Sequence, residues 1–384
     1  MGTILRYGGN ALINKTRFTD FNLKNMKKIF YYILSLLGFC LIISACEDWT
    51  ETESLNPEKL VGTNKSDEYY ARLRAYKASD HPVSFGWFGN WTGKGASLEN
   101  CMTGLPDSVD FISMWGGWKA PTEAMLQDLR YVQEKKGTKA LVVFLVLEMG
   151  DQITPDEYNA TREDRHKFWG WIDGDEEAIE KSIVKFANAI CDTIDKYNYD
   201  GFDLDWENGV PQPFPTNYEM GVGNRISVFI ETMAKRIGPK SGTGRYFVID
   251  GVYDGVPAKY GPYFNYFITQ AYGASSEATL NSRMDDMIKH YADVMSAEEC
   301  AKKFIVTESF EMYTSGGADF TTPDGKKIKS LEGMARWNPV VNGRKVRKGG
   351  VGTYHMEYEF SEDGYDVSYP YLRKATQIMN PAVK

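Results

Sequence analysis

Between residues 140 and 207 the chain carries a pattern that few folds satisfy. Residues 140–147 form a continuous apolar run, Ala-Leu-Val-Val-Phe-Leu-Val-Leu. A short run with no polar alternation reads as a strand covered on both faces. In residues 175–197, Ile179, Ile183, Phe186, Ile190 and Ile194 recur every three or four positions. That is the apolar stripe of an amphipathic helix. A second strand-like stretch follows at once, Asp200-Gly201-Phe202-Asp203-Leu204-Asp205-Trp206-Glu207. Strand, helix and strand at these lengths make a βαβ unit, and hence a parallel sheet.

The pattern extends in both directions. Residues 83–88, 109–114, 246–250, 266–272, 303–308 and 350–355 also read as strands. Helical periodicity occupies residues 66–78, 121–136, 224–237, 280–291, 330–337 and 371–379. The link between the fifth and sixth strands is too short for a full helix, so the outer layer should be short or missing there. No internal repeat is present. Eight strands separated mostly by helices predict an α/β fold, a (β/α)8 TIM barrel. Active sites of that architecture lie at the C-terminal ends of the strands.

The acids of the fourth strand are the chemical signal. Side chains alternate faces along a strand. Asp203, Asp205 and Glu207 therefore share one face, and Phe202, Leu204 and Trp206 share the other. Like charges on one strand face repel, so a purely structural strand has little reason to carry them. Proton-transfer chemistry does, because crowding ionises some carboxyls and keeps others protonated. A calcium loop of the EF-hand type needs twelve residues with glycine at the sixth and glutamate at the twelfth, which this stretch lacks. Asp205 and Glu207 stand roughly 6–7 Å apart along the backbone.

The string resembles the DxxDxDxE signature of glycoside hydrolase family 18, the chitinases and endo-β-N-acetylglucosaminidases, at all four acids. The resemblance implies Glu207 as general acid/base and Asp205 as the residue that orients the substrate acetamido group. Asp203 would be the buried carboxylate behind it, with Asp200 and Gly201 supporting the strand. Gln270-Ala271-Tyr272 ends the sixth strand, with Gln270 and Tyr272 on one face. It resembles the Gln-x-Tyr of the endo-β-N-acetylglucosaminidase branch more than the Met-x-Tyr-Asp of chitinases. By that resemblance Tyr272 bonds the acetamido oxygen and Gln270 bonds sugar or acetamido atoms. The implied mechanism is substrate-assisted and retaining, with no metal or cofactor.

Two departures weaken a chitinase reading. Asn208-Gly209 stands where many relatives have Tyr-Pro, and Gly352-Thr353-Tyr354-His355 lacks the tryptophan of the chitinase subsite. Trp87, Trp91, Trp115, Trp118, Tyr313 and Tyr354 fall near strand ends and are candidates for stacking on sugars. Glu148, Glu308 and Glu357 follow strands, as candidate sugar ligands and second-choice acids. The loop at residues 210–222 and the one after the seventh strand are expected to read distal glycan branches.

Met26-Lys27-Lys28 precedes an apolar run at residues 29–43, too short for a confident membrane span. The run ends Ile43-Ser44-Ala45-Cys46, which resembles a bacterial lipobox and implies a lipid on Cys46. Residues 1–25 then read as an over-extended start, 26–45 as signal peptide, 46–64 as a flexible tether and 65–384 as the barrel domain. Glu47 and Asp48 resemble the export signal of Bacteroidetes surface lipoproteins. The expected location is the cell-surface face of the outer membrane, with membrane contact through the lipid alone. A formal net charge of −8 argues against a nucleic-acid partner. The four histidines include no pair at metal-ligand spacing, and Cys101, Cys191 and Cys300 read as buried thiols.

The expected activity is hydrolysis of the GlcNAc-β-1,4-GlcNAc bond (GlcNAc, N-acetylglucosamine) in the N-glycan core. The expected partners are N-glycans or other GlcNAc-containing oligosaccharides, and outer-membrane glycan importers. The alternatives are a chitinase-like hydrolase and a non-catalytic surface glycan-binding protein. The usual mark of the latter is loss of the catalytic glutamate, and Glu207 is present.

Overall fold

A computed structural model describes residues 65–95, 97–150, 152–207 and 219–381. The expected signal peptide, Cys46, the expected tether, Asn208-Gly209 and most of the loop at 210–222 lie outside the described residues.

Eight parallel strands close into a barrel. They are β1 (Val83–Phe88), β2 (Phe111–Met114), β3 (Lys139–Leu145), β4 (Gly201–Trp206), β5 (Tyr246–Gly251), β6 (Phe267–Gln270), β7 (Phe304–Ser309) and β8 (Gly350–Tyr354). Each pairs with the next, and β8 returns to β1 through Val83 and Gly350. Helix α1 (Asp67–Lys77) precedes β1. Around the barrel run α2 (Glu123–Tyr131), α3 (Arg162–Trp169), α4 (Glu176–Tyr197), α5 (Arg225–Met233), α6 (Glu277–Tyr291), α7 (Ala297–Lys303), α8 (Ser330–Arg336) and α9 (Pro370–Met379). This is the (β/α)8 barrel that the strand and helix spacing predicts. Between β5 and β6 the outer layer has only the 3-10 turns Tyr253–Gly255 and Ala258–Tyr263, as the short link requires.

Helix α4 shows how the sequence sets the packing. The Asp175 side chain accepts from the Ala178 N–H and caps its start. Asn198, in the left-handed region at φ 50°, ends it. The isoleucine stripe and Phe186 are buried against the barrel, where Phe186 and Phe202 flank Phe144.

The barrel strands separate two apolar cores. The outer one, under the helices, holds Phe202, Leu204 and Trp206. The inner one holds Phe85, Trp87, Phe111, Leu141, Val143, Val248, Ile268 and Ile305. Strand β4 is thus gripped from outside by its apolar face. Burying those three side chains contributes roughly 1.5–3 kcal/mol each. That offsets the cost of turning its acids inward. At the start of β4, Asp200 accepts from the Ala140 N–H (2.9 Å) and pairs with Lys139 (3.1 Å). The next residue, Gly201, has φ +155°, and a Cβ there would lie 2.0 Å from the Tyr246 carbonyl oxygen. Asp200 therefore ties β4 to β3 at the end of the barrel opposite the C-terminal strand ends.

Two short hairpins lie outside the barrel, Asp319–Thr321 with Lys327–Lys329 and Val340–Val341 with Arg344–Lys345. The Thr321 N–H donates to the Ser275 carbonyl (2.8 Å), tying the first hairpin to the loop after β6. Cys101, Cys191 and Cys300 are free and buried. Among the described residues no helix is long and apolar enough to cross a membrane.

Candidate active site

Strand alternation delivers the acids. Asp203 and Asp205 point into the barrel from β4, and Glu207 follows just past its end. Asp250 ends the same face of β5 as Val248, in register beside Asp205. Gln270 ends β6, and Tyr272 comes two residues later. Asp205, Glu207, Asp250, Gln270 and Tyr272 line a pocket of about 200 Å³ with Trp87, Trp115, Leu145 and Tyr354.

One amide holds two of the acids. Gln270 Nε2 donates to Asp250 Oδ1 (2.9 Å) and to Glu207 Oε1 (3.1 Å). Deeper in, Ser113 Oγ of β2 donates to Asp203 Oδ2 (2.6 Å). Asp203, Asp205 and Asp250 are buried, and each keeps one oxygen without a hydrogen-bond partner among the described residues.

Burial against so few donors favours the neutral carboxyl. It pushes Asp203 up to about 7, against the pull of the Ser113 hydrogen bond. Asp205 is driven well above the usual carboxylate range by burial, then by the charges of Glu207 and Asp203. Asp250 is raised well above it too, by burial and by Asp205 and Asp203, while the Gln270 hydrogen bond lowers it. Three such groups titrate as a unit, and the unit retains protons at neutral pH. Burial and the neighbouring acids also raise the Tyr272 phenol, which stays a neutral donor.

The arrangement can therefore do acid/base work. Glu207 is partly exposed at the pocket, and behind it lies a carboxyl cluster that can hold or release a proton. A neutral phenol and an amide sit beside them.

The aromatic candidates separate into two groups. Tyr354 is the hub of the pocket wall. Its ring meets Trp87 edge-on (6.0 Å, 77°), Trp115 edge-on (5.7 Å, 87°) and Tyr272 nearly parallel (6.1 Å, 25°). Tyr313 packs over Gly273, where a Cβ would lie 3.1 Å from its hydroxyl, and flanks the pocket without lining it. Trp91 and Trp118 are placed elsewhere, in the outer core. Trp91 Nε1 donates to Asp128 Oδ2 (2.9 Å). Trp118 stacks on Phe144 (5.3 Å, 20°). The Gly116-Gly117 turn, with φ 101° and 76°, separates Trp115 at the pocket from Trp118 in the core.

The second-choice acids are placed away from the pocket lining. Glu148 is buried and pairs with Arg165 (2.9 Å). Glu308 accepts from the Gly273 and Ser309 N–H groups (2.9 and 2.8 Å) and from Ser330 Oγ. Glu357 accepts from the Gly89 N–H (2.9 Å) and lies 2.7 Å from His355 Nδ1. These carboxylates hold loops together, and none lines the pocket.

Sequence reasoning missed Asp250 and Ser113. A signal existed for Asp250, an acid closing a strand on the same face as Val248. Ser113 carries no signal of its own, since its role depends on β2 lying two strands from β4 across a closed barrel.

A family model described as glycoside hydrolase family 18, BT1044-like, matches residues 48–378. Endo-beta-N-acetylglucosaminidase F2 of Elizabethkingia meningoseptica is 27% identical over 307 residues, covering 77% of this chain and 79% of that protein. Endo-beta-N-acetylglucosaminidase EndoS of Streptococcus pyogenes serotype M1 is 29% identical over 307 residues, which are 71% of this chain and 29% of that longer protein. A solved structure of a glutamate-to-glutamine variant of BT1044 is 34% identical with a TM-score of 0.69, covering 82% of this chain and 93% of that one. An endo-beta-N-acetylglucosaminidase from Cordyceps militaris, solved with fucosyl-N-acetylglucosamine-Asn, shares the fold at a TM-score of 0.57 and 22% identity, covering 83% and 97%.

Proposed function

The chain belongs to glycoside hydrolase family 18, and we propose that within it the protein is an endo-β-N-acetylglucosaminidase acting on the N-glycan core. The bond cut is GlcNAc-β-1,4-GlcNAc, with retention of anomeric configuration. The observation that carries the reading is Gln270, whose amide joins Glu207 to Asp250 at the pocket. The names of the two curated relatives support the substrate class.

Glu207 gives its proton to the glycosidic oxygen as the bond to the anomeric carbon breaks. The 2-acetamido oxygen of the same sugar attacks that carbon and closes an oxazolinium ring. With the cluster's proton held on Asp203 or Asp250, the ionised Asp205 carboxylate accepts a hydrogen bond from the acetamido N–H and offsets the positive charge. Tyr272 donates its hydroxyl to the acetamido oxygen and orients it. Water then attacks the anomeric carbon, its proton passes to Glu207, and the ring reopens. The usual pair of carboxylates about 5 Å apart is replaced here by the substrate's own nucleophile. Trp87, Trp115 and Tyr354 wall the sugar.

A glycopeptide whose cleaved sugar carries a hydroxyl in place of the 2-acetamido group tests this route. It should bind and resist cleavage. Cleavage at a rate close to that of the natural sugar would overturn substrate assistance.

The N-terminal pattern supports a lipid anchor on Cys46, placing the enzyme on the outer membrane at the cell surface. There it would trim glycoproteins and pass released oligosaccharide to import proteins. Intact-mass measurement on membrane-extracted protein checks this. A free Cys46 thiol or a mature start elsewhere would contradict it.

A further inference from the structure

The loop after β8 is built around a conformation that a histidine rarely adopts. His355 sits in the left-handed region at φ 52°, ψ 54°. For a residue with a Cβ that costs roughly 1–2 kcal/mol, so neighbours must hold it. Glu357 does so, with Oε1 2.7 Å from His355 Nδ1 and Oε2 accepting from the Gly89 N–H at the end of β1 (2.9 Å). The Tyr358 N–H donates back to the His355 carbonyl (3.0 Å). Ser315 Oγ donates to Glu362 (3.1 Å), and the Phe310 N–H donates to the Tyr354 carbonyl (3.0 Å). These bonds join the loop to the one after β7.

The product of this strain is a surface. The Tyr358 ring lies parallel on the His355 imidazole (4.6 Å, 10°), yet Tyr358 remains 43% exposed. His355 in turn touches Tyr354 (4.3 Å), which walls the pocket. An unbroken series of rings thus leads from Tyr272 in the pocket, through Tyr354 and His355, to Tyr358 at the rim.

We propose that Tyr358, backed by His355, is an outer sugar-binding platform that stacks on the apolar face of a glycan-branch monosaccharide beyond the two sugars flanking the cut. A pyranose suits it because one face presents C–H groups to an aromatic ring while its hydroxyls stay at the wet edge. The inference rests on the glycosidase reading and adds the position at which a distal sugar is recognised. A tyrosine merely covering the histidine would need no clamped, strained loop beneath it.

The test compares wild type with Y358A and Y358F on a branched N-glycopeptide and on the same glycopeptide trimmed to its core. For Y358A the ratio of kcat/KM on branched to trimmed substrate should fall roughly fivefold to tenfold, the size of one aromatic packing contact. The fall should lie in KM, and Y358F should recover it. An unchanged ratio, or an equal loss on both substrates with a lowered Tm, overturns the platform. If wild type cleaves neither substrate, the proposed activity fails. The affinity of the branched glycan for E207Q with and without Y358A then decides. A fivefold to tenfold weakening by Y358A supports the platform, and equal affinity overturns it.

Discussion

Asp205 of β4 and Asp250 of β5 stand side by side in register, and they are only 3% and 1% exposed. Two carboxylates cannot both ionise cheaply in that position. Asp203, fully buried one inward-facing position earlier on β4, adds a third. The candidate site is thus a place where the fold carries protons.

That arrangement predicts a pH dependence of stability. In the unfolded chain an aspartate titrates near 3.9. In the folded protein Asp203 is raised to about 7, and Asp205 and Asp250 are raised well above the usual range. Above pH 4 the folded state therefore holds more protons than the unfolded one. Stability falls as pH climbs through that window and onward toward the raised values. Asp250→Asn removes one titrating member and leaves an oxygen to accept from Gln270. The variant should melt higher than wild type at pH 8 and show a flatter Tm profile between pH 4 and 8. A variant less stable at pH 8, with the slope unchanged, would count against the crowded cluster.

Glu207→Gln should lower kcat by about 10²- to 10⁴-fold, the range of general acid catalysis. Glycan binding and Tm should stay near wild type, since the side-chain shape is retained. Glu148 and Glu308 are occupied in holding loops, so neither can stand in. Single-turnover kinetics on an N-glycopeptide check this. Retention of more than about a tenth of the rate would assign the acid to another group.

Gln270→Leu keeps the bulk and removes both hydrogen bonds. Each reaches a carboxyl, and the two together contribute about 1–3 kcal/mol. A loss of roughly tenfold to a hundredfold in kcat follows, with a smaller change in KM. Asp250 should hold its proton to still higher pH, because the Gln270 bond lowers it in the wild type. A variant with raised KM and unchanged kcat would make Gln270 a binding residue only.

Two tryptophans test the division between wall and core. Trp115→Ala should raise KM with little change in Tm. Trp91→Phe should do the reverse, because Asp128 loses the indole donor but keeps the Met102 and Thr103 donors. The cost is about 1–3 kcal/mol, that of a weakened buried polar contact. Parallel melting curves and kinetics on the two variants read out both effects.

The barrel was legible because its cues are local and repeated. The apolar stripe of α4 and the apolar run of β3 need no knowledge of the rest of the chain. The acidic face of β4 was legible for the same reason, through alternation alone. Two further local signals lie in the sequence. Ser296 and Glu299 form a capping box that starts α7. Asn342-Gly343 turns the hairpin before β8 with φ 50° and 72°. What was not legible depends on closure. The spacing places Trp91, Trp118 and Glu308 near strand ends. Only the folded ring shows Trp91 donating to Asp128, Trp118 stacked on Phe144 of β3, and Glu308 bridging the loops after β6 and β7.

The central claim is tested most directly by mass spectrometry of products from high-mannose glycoprotein, complex glycoprotein and chitin oligomers. The account predicts that at least one glycoprotein loses its glycan, keeps a single N-acetylglucosamine on asparagine, and yields an oligosaccharide ending in the other. Release of disaccharide from chitin oligomers with both glycoproteins untouched would contradict it, as would binding to all three with no product.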